Sequence, residues 1–224
     1  MAICVAFSEV IAVAGIFDLF KKIESETVHA PISKIVACLG NPGEEYVHTR
    51  HNCGFLCADY IVQKYNASPW KIKFKGLCAE CTIGGVRTLI LKPQTYMNLS
   101  GESVREALDF YKLGTDALTV ICDDINFECG RMRIRKNGSD GGQRGLRSII
   151  TCLGSDDFAR IRIGAGKKPE KYDMSAWVLS KFTADEQKEL FDILSSAAEA
   201  LPLILEGKTE LAMSKFNGTG KAGN

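Results

Sequence analysis

Among the three histidines, His29, His48 and His51, only His51 stands where chemistry is expected. It comes a few residues after the apolar run Lys34–Leu39 and its turn Gly40-Asn41-Pro42-Gly43, and just before an apolar helical stretch. Imidazole is the side chain whose ordinary pKa suits proton transfer near neutrality. Asp123-Asp124 closes a second buried apolar run. A carboxylate there can orient an imidazole and stabilise its protonated form. The same pair also suits a strand-end turn, or Mg²⁺. No Gly-Lys-Ser/Thr phosphate loop accompanies the two acids, which disfavours a nucleotide–metal site. Asn41 and Asn98 lie in loops after predicted strands. An amide there fixes a carbonyl or a water without titrating, or simply forms the turn.

The most directional charge signal runs from Arg131 to Arg147. It carries Arg131, Arg133, Arg135, Lys136, Arg144 and Arg147 against one acid, Asp140. Arg133 and Arg135 fall on one face of a predicted strand. Gly138, Gly141 and Gly142 allow close approach of backbone to a phosphate. Arg162, Lys167 and Lys168 extend the cluster. In a chain of formal net charge +1, a local basic patch is either a solvated face or a phosphate and nucleic-acid contact, and the clustering favours the second.

These residues need a scaffold. A chain of 224 residues, 46% hydrophobic and 25% charged, is most simply one globular domain with its own core. Nine cysteines, an odd number, with several in apolar runs, point to reduced thiols and a cytoplasmic setting. Cys78-x-x-Cys81 is not read as a metal or redox pair, because residues three apart on a strand face opposite sides and no second pair matches. Residues 1–33 are read as an N-terminal extension, an amphipathic helix or appendage, or the product of a start assigned too far upstream. Glu9 and Asp18 interrupt its apolar run, so neither a membrane span nor a secretory signal is expected. Residues 218–224 are expected to be a disordered tail.

The pattern predicts strands at 34–39, 77–83, 86–91, 117–122, 131–135 and 161–165. The strands at 77–83 and 86–91 form a hairpin about Gly84-Gly85. Helices are predicted at 52–65, from an N-cap at Ser100 to Leu113, at 146–153 and at 183–205. Strands alternating with helices predict a single-domain α/β/α sandwich with a mixed central sheet.

Together the segments resemble the bacterial-type peptidyl-tRNA hydrolase family, over residues 34–217. The resemblance rests on Leu39-Gly40-Asn41-Pro42-Gly43, Tyr46, Thr49-Arg50-His51-Asn52-x-Gly54-Phe55, Lys92-Pro93-x-Thr95-Tyr96-Met97-Asn98-Leu99-Ser100-Gly101 and Asp123-Asp124. Gly130-x-x-Arg133-x-Arg135, Gly141-Gly142-x-x-Gly145-Leu146, Arg160-Ile161-Arg162-Ile163-Gly164-x-Gly166 and Val178-Leu179-x-Lys181-Phe182 add to it. It implies hydrolysis of the ester between peptide and tRNA, recycling tRNA from prematurely released chains, by a monomer that needs no metal or cofactor. It implies that His51 is the general base, oriented by Asp123, and that Asn41 and Asn98 hold the peptide and the attacked ester. Tyr46 and Met97 shape the cleft, and Arg133, Arg135 and Arg162 contact phosphates of the acceptor arm.

One departure stands out. The family usually carries His-Asn where this chain has Gln143-Arg144, and that asparagine helps to hold substrate and water. Arg144 accepts no hydrogen bond and adds a fixed charge. Either Arg144 binds the terminal phosphate, with Asp140 offsetting its charge, or the chain is a catalytically weak or inactive RNA-binding relative. A metal-dependent hydrolase using Asp123 and Asp124 is the remaining alternative.

Overall fold

The computed structural model describes residues 30–217. The expectations for 1–29 and for the tail at 218–224 lie outside the described residues.

Strand β1 (Lys34–Cys38) shows how the core divides. Its residues alternate in direction, so Ile35 and Ala37 enter one apolar cluster and Val36 and Cys38 the other. A strand buried on both faces reads as a continuous apolar run. The other strands are β2 (Lys71–Lys73), β3 (Gly76–Ile83), β4 (Val86–Pro93), β5 (Leu118–Asp124), β6 (Met132–Arg135) and β7 (Ala159–Gly164). They form one seven-stranded mixed sheet in the order β2-β3-β4-β1-β5-β7-β6. Strands β4, β1, β5 and β7 are parallel, and the pairs β2–β3, β3–β4 and β6–β7 are antiparallel.

Helices α1 (Cys53–Lys64), α5 (Ala184–Leu205) and α6 (Thr209–Phe216) cover one face, with Ile61, Leu201 and Ala212 in its cluster. Helices α2 (Ser100–Tyr111) and α3 (Arg144–Leu153) cover the other, through Val104, Leu108, Leu146 and Ile149. The expected α/β/α sandwich is the observed architecture. Cys78 and Cys81 enter opposite clusters, as the strand period requires.

Several boundaries differ from expectation. Ser100 is the first residue of α2, not its cap, and its Oγ donates to Met97 O at 2.9 Å. A short 3₁₀ turn, Met97–Leu99, leads directly into the helix and takes the place of a side-chain cap. The helix stops at Tyr111, because Lys112 adopts the left-handed conformation (φ 55°) and Leu113 N–H returns to Leu108 O. Helix α5 begins with a capping box between Thr183 and Glu186. On the outer edge of β6 one side chain takes up the backbone groups of Ile134. Asn217 Oδ1 accepts from Ile134 N–H at 2.6 Å and its Nδ2 donates to Ile134 O at 3.1 Å.

Candidate active site

The parallel strands end together, and the chemistry-bearing residues gather at those ends, where open α/β sheets place ligands. Asn41 follows β1, Met97 follows β4 and Asp123 lies at the end of β5. Two glycines lie where elements pack most closely at these ends. A Cβ on Gly54 would lie 2.4 Å from Leu39 N and O and 2.6 Å from Ile121 O, so only glycine lets α1 start against β1 and β5. A Cβ on Gly145 would lie 2.6 Å from Met97 Sδ and 2.8 Å from Leu39 Cδ1, so the start of α3 packs directly on those two side chains.

His51 sits in a 3₁₀ turn, Arg50–Asn52, that runs into α1. Its Nδ1 is 2.9 Å from Asp123 Oδ2. Asp123 is only 2% exposed, and its Oδ1 accepts from Gln143 Nε2 at 3.0 Å. Both carboxylate oxygens are therefore engaged. With Nδ1–H donated to Asp123, His51 Nε2 is left as the acceptor. Burial alone would lower the His51 pKa. The charge of Asp123 and its hydrogen bond outweigh burial, and the nearby Arg144 charge opposes them, so the value stays above the ordinary one.

The neighbours of His51 fix the loops around it. Asn41 Oδ1 accepts from Met97 N–H at 2.8 Å, which identifies the oxygen end of that amide and leaves Nδ2 as a donor. Asn52 grips Asn41 by its backbone, accepting from its N–H and donating to its carbonyl. Arg50 is 3% exposed and stacks over Trp177, 4.0 Å from the ring centroid. It pairs with both oxygens of Glu186 and donates to Ala165 O. The segment before α1 is thereby tied to α5 and to α4 (Met174–Val178). Tyr96 reaches the Met97 turn with φ 55°, a strained conformation for a bulky residue.

His51, Asp123, Asn41 and Met97 come together directly. Asn98 is exposed and shares a cleft of about 500 Å³ with Arg144, Arg147, Ser148, Leu99 and Glu102. Tyr46 is half-buried in the preceding turn, its carbonyl accepting from Thr49. Arg144 opens α3 and is exposed. The expected partnership of Asp140 with Arg144 does not form. Asp140 accepts from Gly142 N–H and from Arg147 at 3.3 Å, about one helical turn beyond Arg144.

The basic face is more specific than a run of charges. Arg133 is paired across the ladder with Arg162, and Arg135 with Arg160. Like charges directly opposite repel, and each inner arginine is compensated differently. Arg160 is 1% exposed and donates to the carbonyls of Gly138, Ser139, Asp156 and Phe158, holding the glycine loop from beneath. Arg162 Nε lies 2.9 Å from Asp124 Oδ2 as a charge contact, its N–H not aimed along that line. Arg133 and Arg135 are exposed. Lys167 pairs with Glu128, and Lys168 donates to three nearby carbonyls, so neither simply extends the patch.

Asp123 and Asp124 do not converge. Adjacent strand residues face opposite sides, and Asp124 instead accepts from Asn126 beside Arg162. Among the described residues no three His, Cys, Asp or Glu side chains are grouped to hold a metal ion. The roles of Asn52 and Arg50 did not emerge from the sequence, although both flank His51 in the motif. Their partners lie in segments that only the fold brings near.

Fold and site together define a protein of the α/β class that carries a hydrogen-bonded histidine–carboxylate pair at the ends of parallel strands, an arrangement suited to proton transfer. Similarity to known proteins narrows the class. Residues 35–223 match the family model for peptidyl-tRNA hydrolase, and the chain belongs to that family. It is 49% identical over 184 residues to the peptidyl-tRNA hydrolase of Caldicellulosiruptor bescii, covering 82% of this chain and 96% of that protein. It is 48% identical over 185 residues to that of Rhodopirellula baltica, covering 82% and 97%. The crystal structure of peptidyl-tRNA hydrolase from Acinetobacter baumannii superposes with a TM-score of 0.79 at 32% identity, covering 86% of this chain and 98% of that one.

Proposed function

We propose that this chain hydrolyses the ester joining a peptide to the terminal ribose of tRNA, with His51 as general base. The observation that carries the reading is the His51 Nδ1–Asp123 Oδ2 bond of 2.9 Å beside the Asn41–Met97 contact. His51 Nε2 removes a proton from water as the oxygen attacks the ester carbonyl carbon. Asp123 holds the imidazolium that forms. An amide donor from Asn41 Nδ2 stabilises the developing oxyanion, and Asn98 helps to hold the peptide. The imidazolium then returns its proton to the departing ribose oxygen, releasing peptide acid and tRNA.

Arg133, Arg135 and Arg162 take phosphates of the acceptor arm, which relieves the repulsion between the paired arginines. Met97 and Tyr46 shape the cleft at the 3′ end, and Arg144 supplies a cation there. The working form is a monomer acting in the cytoplasm. Among the described residues no helix is long and apolar enough to cross a membrane.

The alternative of an inactive RNA-binding relative rests on Gln143 and Arg144. Gln143 donates to Asp123 instead of disturbing it, so that alternative is not favoured. The test is release of N-blocked amino acid from N-blocked aminoacyl-tRNA, with unblocked aminoacyl-tRNA and His51→Ala as controls. Cleavage of the blocked substrate alone, abolished in the variant, supports the esterase. Salt-sensitive tRNA binding without cleavage overturns it.

A further inference from the structure

We propose that Gln143 is a positioning residue for the reaction: its amide, oriented by the start of α3, locks Asp123 onto His51 and moderates how tightly Asp123 holds the imidazole proton. The inference rests on the His51–Asp123 reading above and adds a third member to it.

Gln143 is 7% exposed and lies between two fixed groups. Its Oε1 accepts from Leu146 N–H at 2.8 Å, capping α3. Its Nε2 donates to Asp123 Oδ1 at 3.0 Å and touches Met97 Sδ at 3.1 Å. The two ends of the amide are not interchangeable. A flipped amide would set its oxygen against the carboxylate and its NH₂ against the Leu146 N–H, two repulsions in a buried place. The helix start therefore decides that an N–H faces Asp123. Capping needs an acceptor at this position, and Gln143 supplies one while its other end reaches the catalytic carboxylate.

Two consequences follow for the chemistry. With Oδ2 on His51 and Oδ1 on Gln143, the carboxylate cannot turn about its Cβ–Cγ bond, so the imidazole stays aligned throughout the proton transfer. A donor on Oδ1 also withdraws charge from the carboxylate, which reduces its pull on the imidazolium. An amide does not titrate in the working range, so this effect is constant with pH. Removing the donor leaves Asp123 a stronger partner, and the His51 pKa rises.

Two substitutions in the full-length protein separate this role from capping. Gln143→Ser keeps a cap oxygen for α3 but cannot reach Asp123. Gln143→Glu keeps the reach but offers a carboxylate in place of a donor. Expected for Gln143→Ser are a kcat about 10- to 100-fold lower, a KM for N-blocked aminoacyl-tRNA little changed, and an acidic limb of kcat/KM moved to higher pH. Gln143→Glu moves the limb further, through its added negative charge. Wild-type kcat and limb in Gln143→Ser overturn the proposal. So does a lower kcat with an unmoved limb and a lower Tm, which is the result of weakened capping alone. The His51 ring titration, followed by NMR in a chain with three histidines, reads the same coupling without turnover. An upward move in Gln143→Ser supports it and an unchanged titration overturns it. Failure of the wild-type protein to cleave the substrate at all is the distinct failure of the esterase reading.

Discussion

Asn52 holds Asn41 by both of its backbone groups, with Asn41 N–H on Oδ1 at 2.9 Å and Asn41 C=O on Nδ2 at 3.0 Å. The residue next to the proposed base thus fixes the loop that carries the proposed oxyanion donor. Asn52→Leu leaves both groups of Asn41 unpaired and should cost about 1–3 kcal/mol of stability. Because Asn41 Oδ1 also carries Met97 N–H, kcat should fall with stability. Urea unfolding together with turnover checks this, and a variant with normal kcat would show that Asn41 keeps its place unaided.

His51→Ala should lower ester hydrolysis about 10²–10⁴-fold. Only neutral His51 is a base, and its folded pKa is raised, so the acidic limb of kcat/KM should lie above the ordinary histidine value of about 6.5. Stability runs the other way. A raised folded pKa means that protonated His51 stabilises the fold fully below about pH 6.5, and that this contribution fades as pH rises through the folded value. A pH–rate profile and a pH series of Tm for wild type and His51→Ala would test both slopes. A limb below the ordinary value would contradict the assignment.

Arg144 acts on His51 through its charge, opposing Asp123. Arg144→Asn should therefore move the acidic limb to higher pH and weaken substrate binding in a salt-dependent way. If Arg144 were a defect in the site, the asparagine would raise kcat/KM at neutral pH instead. The profile of that one variant separates the two.

The exposed arginines of β6 should govern affinity more than rate. Arg133→Ala and Arg135→Ala should each flatten the plot of log affinity against log salt by about 0.7–0.9 for every phosphate left without its cation. Their kcat should stay near wild type. Filter binding of tRNA over a salt series provides the measurement, and unchanged slopes would place the phosphates elsewhere.

Where a signal was local, the sequence was readable. The hairpin about Gly84-Gly85 needs only two positive-φ residues between apolar runs, and it forms there with φ 57° and 80°. The alternation of Arg131–Arg135 marked the half-exposed β6. Strand β2 was not readable, since its three residues are all exposed and carry no period. Helix α6 is short, buries only Thr209 and Ala212, and showed no clear stripe. In the candidate site, His51, Asp123 and Asn41 stood out by residue type and position, and the fold brings them to the same strand ends. Gln143 read as a departure from a motif, because its partners, Asp123 and Leu146, are chosen by the meeting of β5 with α3. Arg162 read only as an extension of the basic cluster, and its pairing with Asp124 is set by the register of β5 with β7.

The amide of Asn217 on β6 also dictates when the molecule is sealed. Every described strand precedes it in the chain, so in order of synthesis those strands are all made before this border is shut. Until α6 settles, the N–H and C=O of Ile134 stand open as a template for a strand from another molecule. Damage to the C-terminal helix should therefore announce itself first as sticking between copies, while the distant His51–Asp123 pair is still intact.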